Sequence, residues 1–532
     1  MATLATATEH IDNALFSSAT SAMDITVTSS LNPSPLLVFG MAAALCAGGL
    51  LSLPAKAETW TFSPRVQVSG THTDNVALAG SGQERADTIL ELSPGIRIQG
   101  DGARVKLNLD YAWQSLTHLN ESNTNSSYNM LNASANVEAI EKWFYLDATA
   151  GITQQNISAF GPQAVDNTSI TGNRTTVSSY SFSPYIKGPL GAVANYELRH
   201  NTFGSYSGMS VLSSNQTNEW VGMLRGTAPL ALINWGFDYN RRSTDYTNNT
   251  SADSESYRGS LYFNVDPQLM FSANAGFERN NVLFGKQSGT THGFGFRWTP
   301  EEWTSLVGER DQRLFGPSYS LLFNHRMPMS ALDIALTRDL TSTPTVLFTG
   351  MGTTLAQLLA NSLPAPPAGT ADNRLAAATS LLGASANLVP TIGFLTNQIV
   401  LQRRLQASYA LIGSTNMLTL SAFRSDTQAA APGFSTVTDI TNLGQIVQTG
   451  QTVNWSHTIS GLTSLMTSYA HVRSTSDGSA AQTSLQNILS LNLSTQLSPK
   501  TSASFGLRHV SFAGSPTDYR ENAVFTTLIF LF

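Results

Sequence analysis

Short and long connections alternate along almost the whole chain, and that alternation limits the possible folds more than any other feature. The short ones include Gly100-Asp101-Gly102, Gly188-Pro189-Leu190-Gly191, Asp266-Pro267, Met327-Pro328-Met329, Gly413-Ser414-Thr415-Asn416 and Ser498-Pro499-Lys500. Gly, Pro, Asp and Asn suit tight turns because they accept or fix the backbone angles a turn needs. Between them lie long polar connections near 73–86, 117–126, 158–175, 206–213, 247–253, 283–289, 311–317, 342–393, 427–446, 474–481 and 513–520. A β-sandwich has no reason to sort its loops by length. A transmembrane antiparallel β-barrel does, with short turns on one side of the membrane and long loops on the other. Counting segments this way predicts 22 strands, within a range of 18 to 24.

The segments themselves alternate between apolar and polar residues. Val105, Leu107, Leu109, Tyr111 and Trp113 alternate with Arg104, Lys106, Asn108, Asp110 and Ala112. Ile233, Trp235, Phe237 and Tyr239 alternate with polar or small residues, and Leu489, Leu491 and Leu493 with Ser490 and Asn492. Period two gives a strand one apolar and one polar face. In a barrel the apolar face meets lipid and the polar face lines the lumen. The lumen set predicted by this parity is Arg104, Lys106, Asp110, Glu197, Arg199, Asp238, Arg242, Arg258, Glu278, Arg297, Arg326, Asp333, Asp339 and Arg508. Arg far outnumbers Lys, and its planar, bidentate head suits both wall ion pairs and anionic or sugar ligands. Structural ion pairing is the reading preferred for most of the set. Trp113, Trp235 and Trp298 are candidates for interfacial girdles.

Only 12% of the residues are charged and the formal net charge is -6, which offers no basic surface to nucleic acid. After the N-terminal region no apolar run reaches the length of a membrane-spanning helix. Residues 36–53 are an apolar core followed by Ala55-Lys56-Ala57, a small-x-small cleavage pattern. Residues 1–57 are therefore expected to be a leader and 58–532 the barrel. No Lys or Arg precedes Lys56, so the usual positive start of a signal peptide is missing. The single cysteine, Cys46, falls in this leader, which leaves the mature chain without disulfides or thiolate metal sites.

The chain ends on Val524 to Phe532. Phe532, Phe530 and Leu528 share one face, and this pattern resembles the signal that bacterial outer-membrane barrels present to their assembly machinery. Leu531, Ile529 and Phe525 occupy the other face.

A wider resemblance is carried by Trp60-x-Phe62-x-Pro64, Thr73-Asp74-Asn75-Val76, Asp87, Ser93-Pro94-Gly95-Ile96 and Gly102-Ala103-Arg104. Leu107-Asn108-Leu109-Asp110-Tyr111, Gly308-Glu309-Arg310, Phe315-Gly316-Pro317-Ser318-Tyr319 and His325-Arg326 extend it. With these residues the chain resembles the outer-membrane family found with PEP-CTERM protein sorting and exopolysaccharide systems of Gram-negative bacteria. The resemblance implies an outer-membrane location. It implies a conduit or accessory for export of polysaccharide or another surface product, with export-system components as partners. It implies no catalytic residues.

The alternatives are a general or solute-specific diffusion porin and, less favoured, a barrel-embedded hydrolase. His292, His325, His457, His471 and His509 lie in strands without a nucleophile or paired-acid signature beside them. No calcium-loop spacing occurs. No enzyme activity, cofactor or metal is expected. The expected surroundings are outer-membrane lipid and lipopolysaccharide. The connection 342–393 is expected to carry two short helices, around Leu355 to Leu363 and Asn373 to Leu382, and either to gate or cap the lumen or to be a surface loop with no gating role.

Overall fold

The computed structural model describes residues 59–208, 214–227, 232–247, 251–281, 287–341, 399–430, 444–478, 481–514 and 518–532. The expected leader 1–57 and the expected helices of 342–393 lie outside the described residues. The described chain is one meander of 22 strands. They are β1 (Thr59–Thr73), β2 (Asp87–Asp101), β3 (Val105–His118), β4 (Ser126–Ile140), β5 (Phe144–Asn156), β6 (Arg174–Leu190), β7 (Ala194–Ser207) and β8 (Asn215–Thr227). Then come β9 (Ile233–Tyr246), β10 (Ser251–Asn264), β11 (Leu269–Asn280), β12 (Gln287–Glu301), β13 (Thr304–Arg313), β14 (Gly316–Met327) and β15 (Ser330–Thr341). The last are β16 (Val400–Ile412), β17 (Asn416–Ala429), β18 (Ile446–Ser460), β19 (Thr463–Ser476), β20 (Thr483–Ser498), β21 (Thr501–Gly514) and β22 (Tyr519–Leu531).

Each strand pairs antiparallel with its sequence neighbours, and β22 returns to pair with β1, so the sheet has no edge. Closure lets strand backbone groups pair within the wall, which lipid requires. At usual strand spacing and tilt, 22 strands make a cylinder roughly 40 Å across. The predicted count and the alternation of short and long connections are both found. Two expected long connections are not: only 247–250 separate β9 from β10, and β13 ends at Arg313 while β14 starts at Gly316, a tight turn in which Gly316 takes φ +98°.

Register carries the strand alternation around the cylinder and separates two faces. Phe271, Phe294, Leu489 and Leu507 stand exposed on the outer face, as lipid-facing side chains do in the absence of lipid. Val105 and Leu109 share that face but are covered by neighbours, Leu109 packing with Leu131, Ile152, Ile96 and Ile98. Trp298, Trp303 and Trp455 cluster toward the short-turn end, whereas Trp113 and Trp220 sit in the half nearer the long loops. Two girdles at different heights are what interfacial tryptophans form in a barrel. Trp235 lies across Gly226, where an added Cβ would come within 2.4 Å of the indole.

The seam pairs Arg65 to Thr73 with Ala523 to Leu531. Leu528 sits opposite Val68 and Phe530 opposite Val66 on the outer face. Phe532 follows the strand, and its amide donates to the Pro64 carbonyl at 3.0 Å. Phe525, on the inner face, covers Gly506 so closely that a Cβ there would lie 2.1 Å from the ring. An aromatic laid over a cross-strand glycine fills the gap and pins register.

Candidate functional site

A barrel this wide needs something to narrow it. The connection between β5 and β6, residues 157–173, turns into the lumen and binds to the inner wall. Its ends are tied together: Asn173 Nδ2 donates to the Ser158 carbonyl at 2.9 Å, and the Ser158 amide donates to Asn173 Oδ1 at 2.8 Å. Gly161 is required here, because a Cβ would fall 2.9 Å from the Asn173 carboxamide. At the tip, Ala159 and Phe160 are buried against Val400 of β16 and Ile446 of β18. Ser484 Oγ donates to the Ala159 carbonyl at 2.8 Å. The Gln163 carbonyl accepts from Tyr519 Oη at 2.8 Å and from Gln486 Nε2 at 2.9 Å.

The connection from β1 to β2 forms a second layer over the same wall. Leu78 joins Val510, Phe512 and Tyr519, with Ala164 and Val165 of the inner loop packed against them. Val76 joins Ile89 and Leu116, and Ile170 packs on that group. The Ile170 amide donates to the Val76 carbonyl at 2.8 Å, so the two loops brace each other.

One charged node locks the assembly to the seam. Arg508 of β21, 4% exposed, donates to Asp166 of the inner loop and, at 2.8 Å, to Glu521 of β22. Glu521 also accepts from Thr73 Oγ1 of β1 at 3.0 Å. Burial pushes the Asp166 carboxyl up, but the Arg508 charge and the Thr168 hydrogen bonds outweigh burial and hold it below the ordinary value of 3.8. Asp166 therefore stays ionised, and its docking is electrostatic as well as apolar.

The opposite wall, from β7 to β15, is not covered by this loop. It carries a ladder of ion pairs. Arg199 bonds Asp147 at 2.9 Å and Glu197 at 3.0 Å. Arg225 bonds Asp238 at 2.5 Å, and Arg242 bonds Glu219 at 2.8 Å. Arg258 spans to Glu309 at 2.9 Å and Asp311 at 3.0 Å, two strands beyond its neighbour. Gly293 makes that reach possible: a Cβ there would sit 1.8 Å from Asp311 Oδ1. Arg313 bridges Glu278 at 2.9 Å and Asp339 at 2.8 Å. A cavity of about 560 Å³ follows this wall, lined by Arg242, Arg258, Arg313, Asn280 and Ser320 among others. Both side-chain polar atoms of the buried Asn280 lack a partner among the described residues.

The predicted lumen residues thus divide into groups. Glu197, Arg199, Asp238, Arg242, Arg258, Glu278 and Asp339 belong to the ladder. Asp110 pairs with Arg65 and Arg97 nearer the seam, at 2.5 and 2.7 Å. Arg508 lies under the inner loop rather than on open lumen. Arg104 precedes β3 and bonds Glu141 of the next short turn at 2.8 Å, so it belongs to the rim. Lys106 stands just above that rim, 3.7 Å from Asp101. Arg297 lies opposite Met270, and Asp333 opposite Asn324, on the inner face toward the short-turn end. The Arg326 amide donates to the Trp303 carbonyl at 2.8 Å near the same end. The sequence reading missed Asp147, Glu219, Glu309, Asp311 and Arg313, which complete the ladder. It also missed Asp166 and Glu521. Parity would have placed the strand residues among these; Asp166 had no parity to follow.

The strand histidines make cross-strand contacts: His325 with Thr304, His457 with Asn416, His471 with Asn487 and His509 with Asn522. Among the described residues no three His, Cys, Asp or Glu side chains are grouped to hold a metal.

No protein-family model matches the sequence, and no curated protein does. Solved structures with a similar strand arrangement include the siderophore receptor PirA from Pseudomonas aeruginosa, 10% identical over 90% of this chain and 81% of its own, with a TM-score of 0.39. The FrpB iron transporter from Neisseria meningitidis is 9% identical over 91% and 83%, with a TM-score of 0.48. The outer membrane protein opdK from P. aeruginosa is 9% identical over 89% and 99%, with a TM-score of 0.34. The closed meander, its outward apolar face and its sorted connections make this chain a β-barrel of the Gram-negative outer membrane.

Proposed function

We propose that the barrel is a conduit for a hydrophilic, hydroxyl-rich product, in keeping with the polysaccharide export implied by its family resemblance. The observation that supports this reading most is the division of the lumen. One wall is closed by a docked loop, and the other presents a ladder of alternating Arg and carboxylate groups along a cavity of about 560 Å³. Paired charges of both signs hold the wall rigid without making it strongly selective for either sign of ion. Their remaining donors and acceptors suit sugar hydroxyls and scattered uronate or sulfate groups. Polysaccharide and export-system components are the proposed partners, with the assembly machinery recognising Leu528, Phe530 and Phe532.

The competing reading is a diffusion porin. Planar-bilayer recording of the purified barrel separates them. A conduit gives small currents that long anionic or neutral oligosaccharides block from one side at micromolar concentration. Large, steady currents insensitive to oligosaccharide identify a porin. Loss of surface polysaccharide on gene deletion, restored by the wild-type chain but not by Arg258→Ala/Arg313→Ala, gives the same decision in cells.

A further inference from the structure

We infer that the outer face of β13–β16 is a binding site for the phosphates of an outer-leaflet glycolipid. Register aligns Arg310, Tyr319, Arg338 and Arg403 in one cross-strand row. Their sequence neighbours fix the face. Asp311 meets Arg258 and Asp339 meets Arg313 in the lumen, and Arg404 lies 5.3 Å over the inward Phe423 ring. Alternation then turns Arg310, Arg338 and Arg403 toward lipid.

Arg338 and Arg403 are directly opposite each other, an arrangement that costs stability when nothing neutralises it. Arg310 and Arg403 are exposed and have no ion-pair partner among the described residues. Arg338 donates one nitrogen to the Pro317 carbonyl, and the acid opposite Arg403, Asp426, is already bonded to Arg424 at 3.0 Å. The row is therefore short of negative charge.

Its height identifies the anion. Arg338 is eight residues above Ser330 at the short-turn end, roughly 20 Å along the barrel axis at usual rise and tilt. That is the upper margin of an apolar band about 25 Å tall. Two residues below the row, Leu321, Leu336 and Leu405 form the next outward cross-strand row, with Leu321 and Leu405 exposed. Cations above leucines fit phosphates above acyl chains. Arginine's fork binds phosphate oxygens bidentately. The site is independent of what passes through the lumen.

The test measures lipid retention on the purified full-length barrel by native mass spectrometry. The probes are bisphosphorylated lipid A, the same lipid with both phosphates removed, and millimolar inorganic phosphate as competitor. The expected result is about tenfold tighter retention of the phosphorylated lipid. That preference is lost in Arg338→Gln/Arg403→Gln, reduced in Arg403→Gln alone and kept in Arg473→Gln, an outward arginine outside the row. Heat-modifiable mobility reports folding of each variant, and Arg403→Gln decides the matter if the double variant does not fold. Equal retention of dephosphorylated lipid, an unchanged preference in Arg403→Gln, or full displacement by inorganic phosphate overturns the assignment.

Discussion

At the long-loop end the inner face of this barrel carries two different surfaces. From β16 round through the seam to β3 it presents Val400, Ile446, Val510, Phe512, Tyr519, Ile89 and Leu116, all buried under the loops that enter the lumen. From β8 to β11, at the same height and on the same parity, it presents Thr217, Thr244, Ala252, Ser254 and Asn280, a mostly polar row of which all but Ser254 are buried as well. An inward apolar row at the mouth of a water-filled barrel is unfavourable unless covered. A mostly polar row, beside the cavity of about 560 Å³, gives the apolar residues of these loops nothing to pack on. The wall itself therefore selects where these two loops dock.

The comparison breaks most visibly if the loop is removed. Replacing 158–172 by a short Gly/Ser linker should raise single-channel conductance roughly twofold or more, since the loop occupies the covered side. An unchanged conductance would mean that the loop narrows nothing. Next in size is the charged node. Arg508→Met strands Glu521 in a buried site and removes the cation that holds Asp166, and should cost about 3–5 kcal/mol. Arg225→Ala on the ladder wall, whose pair with Asp238 is partly solvated, should cost about 1 kcal/mol or less. Urea titration of both variants in detergent or lipid measures the contrast, and similar costs would show that the two walls are not built differently.

A smaller effect is expected from acid. Because the Asp166 carboxyl is held below its ordinary value, its contribution to docking is complete above pH 3.8. It is lost as pH falls through the lower folded value. Conductance should stay level from neutral pH to about 4 and rise below that. In Asp166→Asn the step attributable to this group should disappear, while protonation of Glu521 beside the same arginine remains. A wild-type profile identical to that of Asp166→Asn would remove Asp166 from the docking account.

The wall was legible in the sequence because two simple periods encode it. Alternation gave the faces, and connection length gave the ends. The direction of the loop 157–173 was not legible, because Gln163, Asp166, Asn167, Thr168 and Ser169 look like residues of any solvated connection. A signal was nonetheless present. Val510, Phe512 and Tyr519 carry apolar groups on the parity of Arg508 and Glu521, which breaks the polar-inside pattern at the top of β21 and β22. Such breaks mark where a loop returns to the wall. The ladder from β5 to β15 was half legible. Parity picked out its arginines, but the pairing of Arg258 with β13 depends on Gly293 leaving room across two strands. The phosphate row was hidden for another reason: only register shows that residues as far apart in sequence as Arg310, Arg338 and Arg403 stand side by side.

The central claim is that the loop 157–173 closes one wall of the lumen and leaves the cavity on the opposite wall uncovered by it. Thiol labelling tests it directly, in a Cys46→Ser background with single cysteines introduced at Ser320 in the cavity or Gln486 beneath the loop. A bulky hydrophilic maleimide applied to the folded barrel should label Ser320→Cys readily and Gln486→Cys very slowly, and deletion of 158–172 should bring the second rate up to the first. Equal labelling of the two positions in the intact barrel would contradict the account.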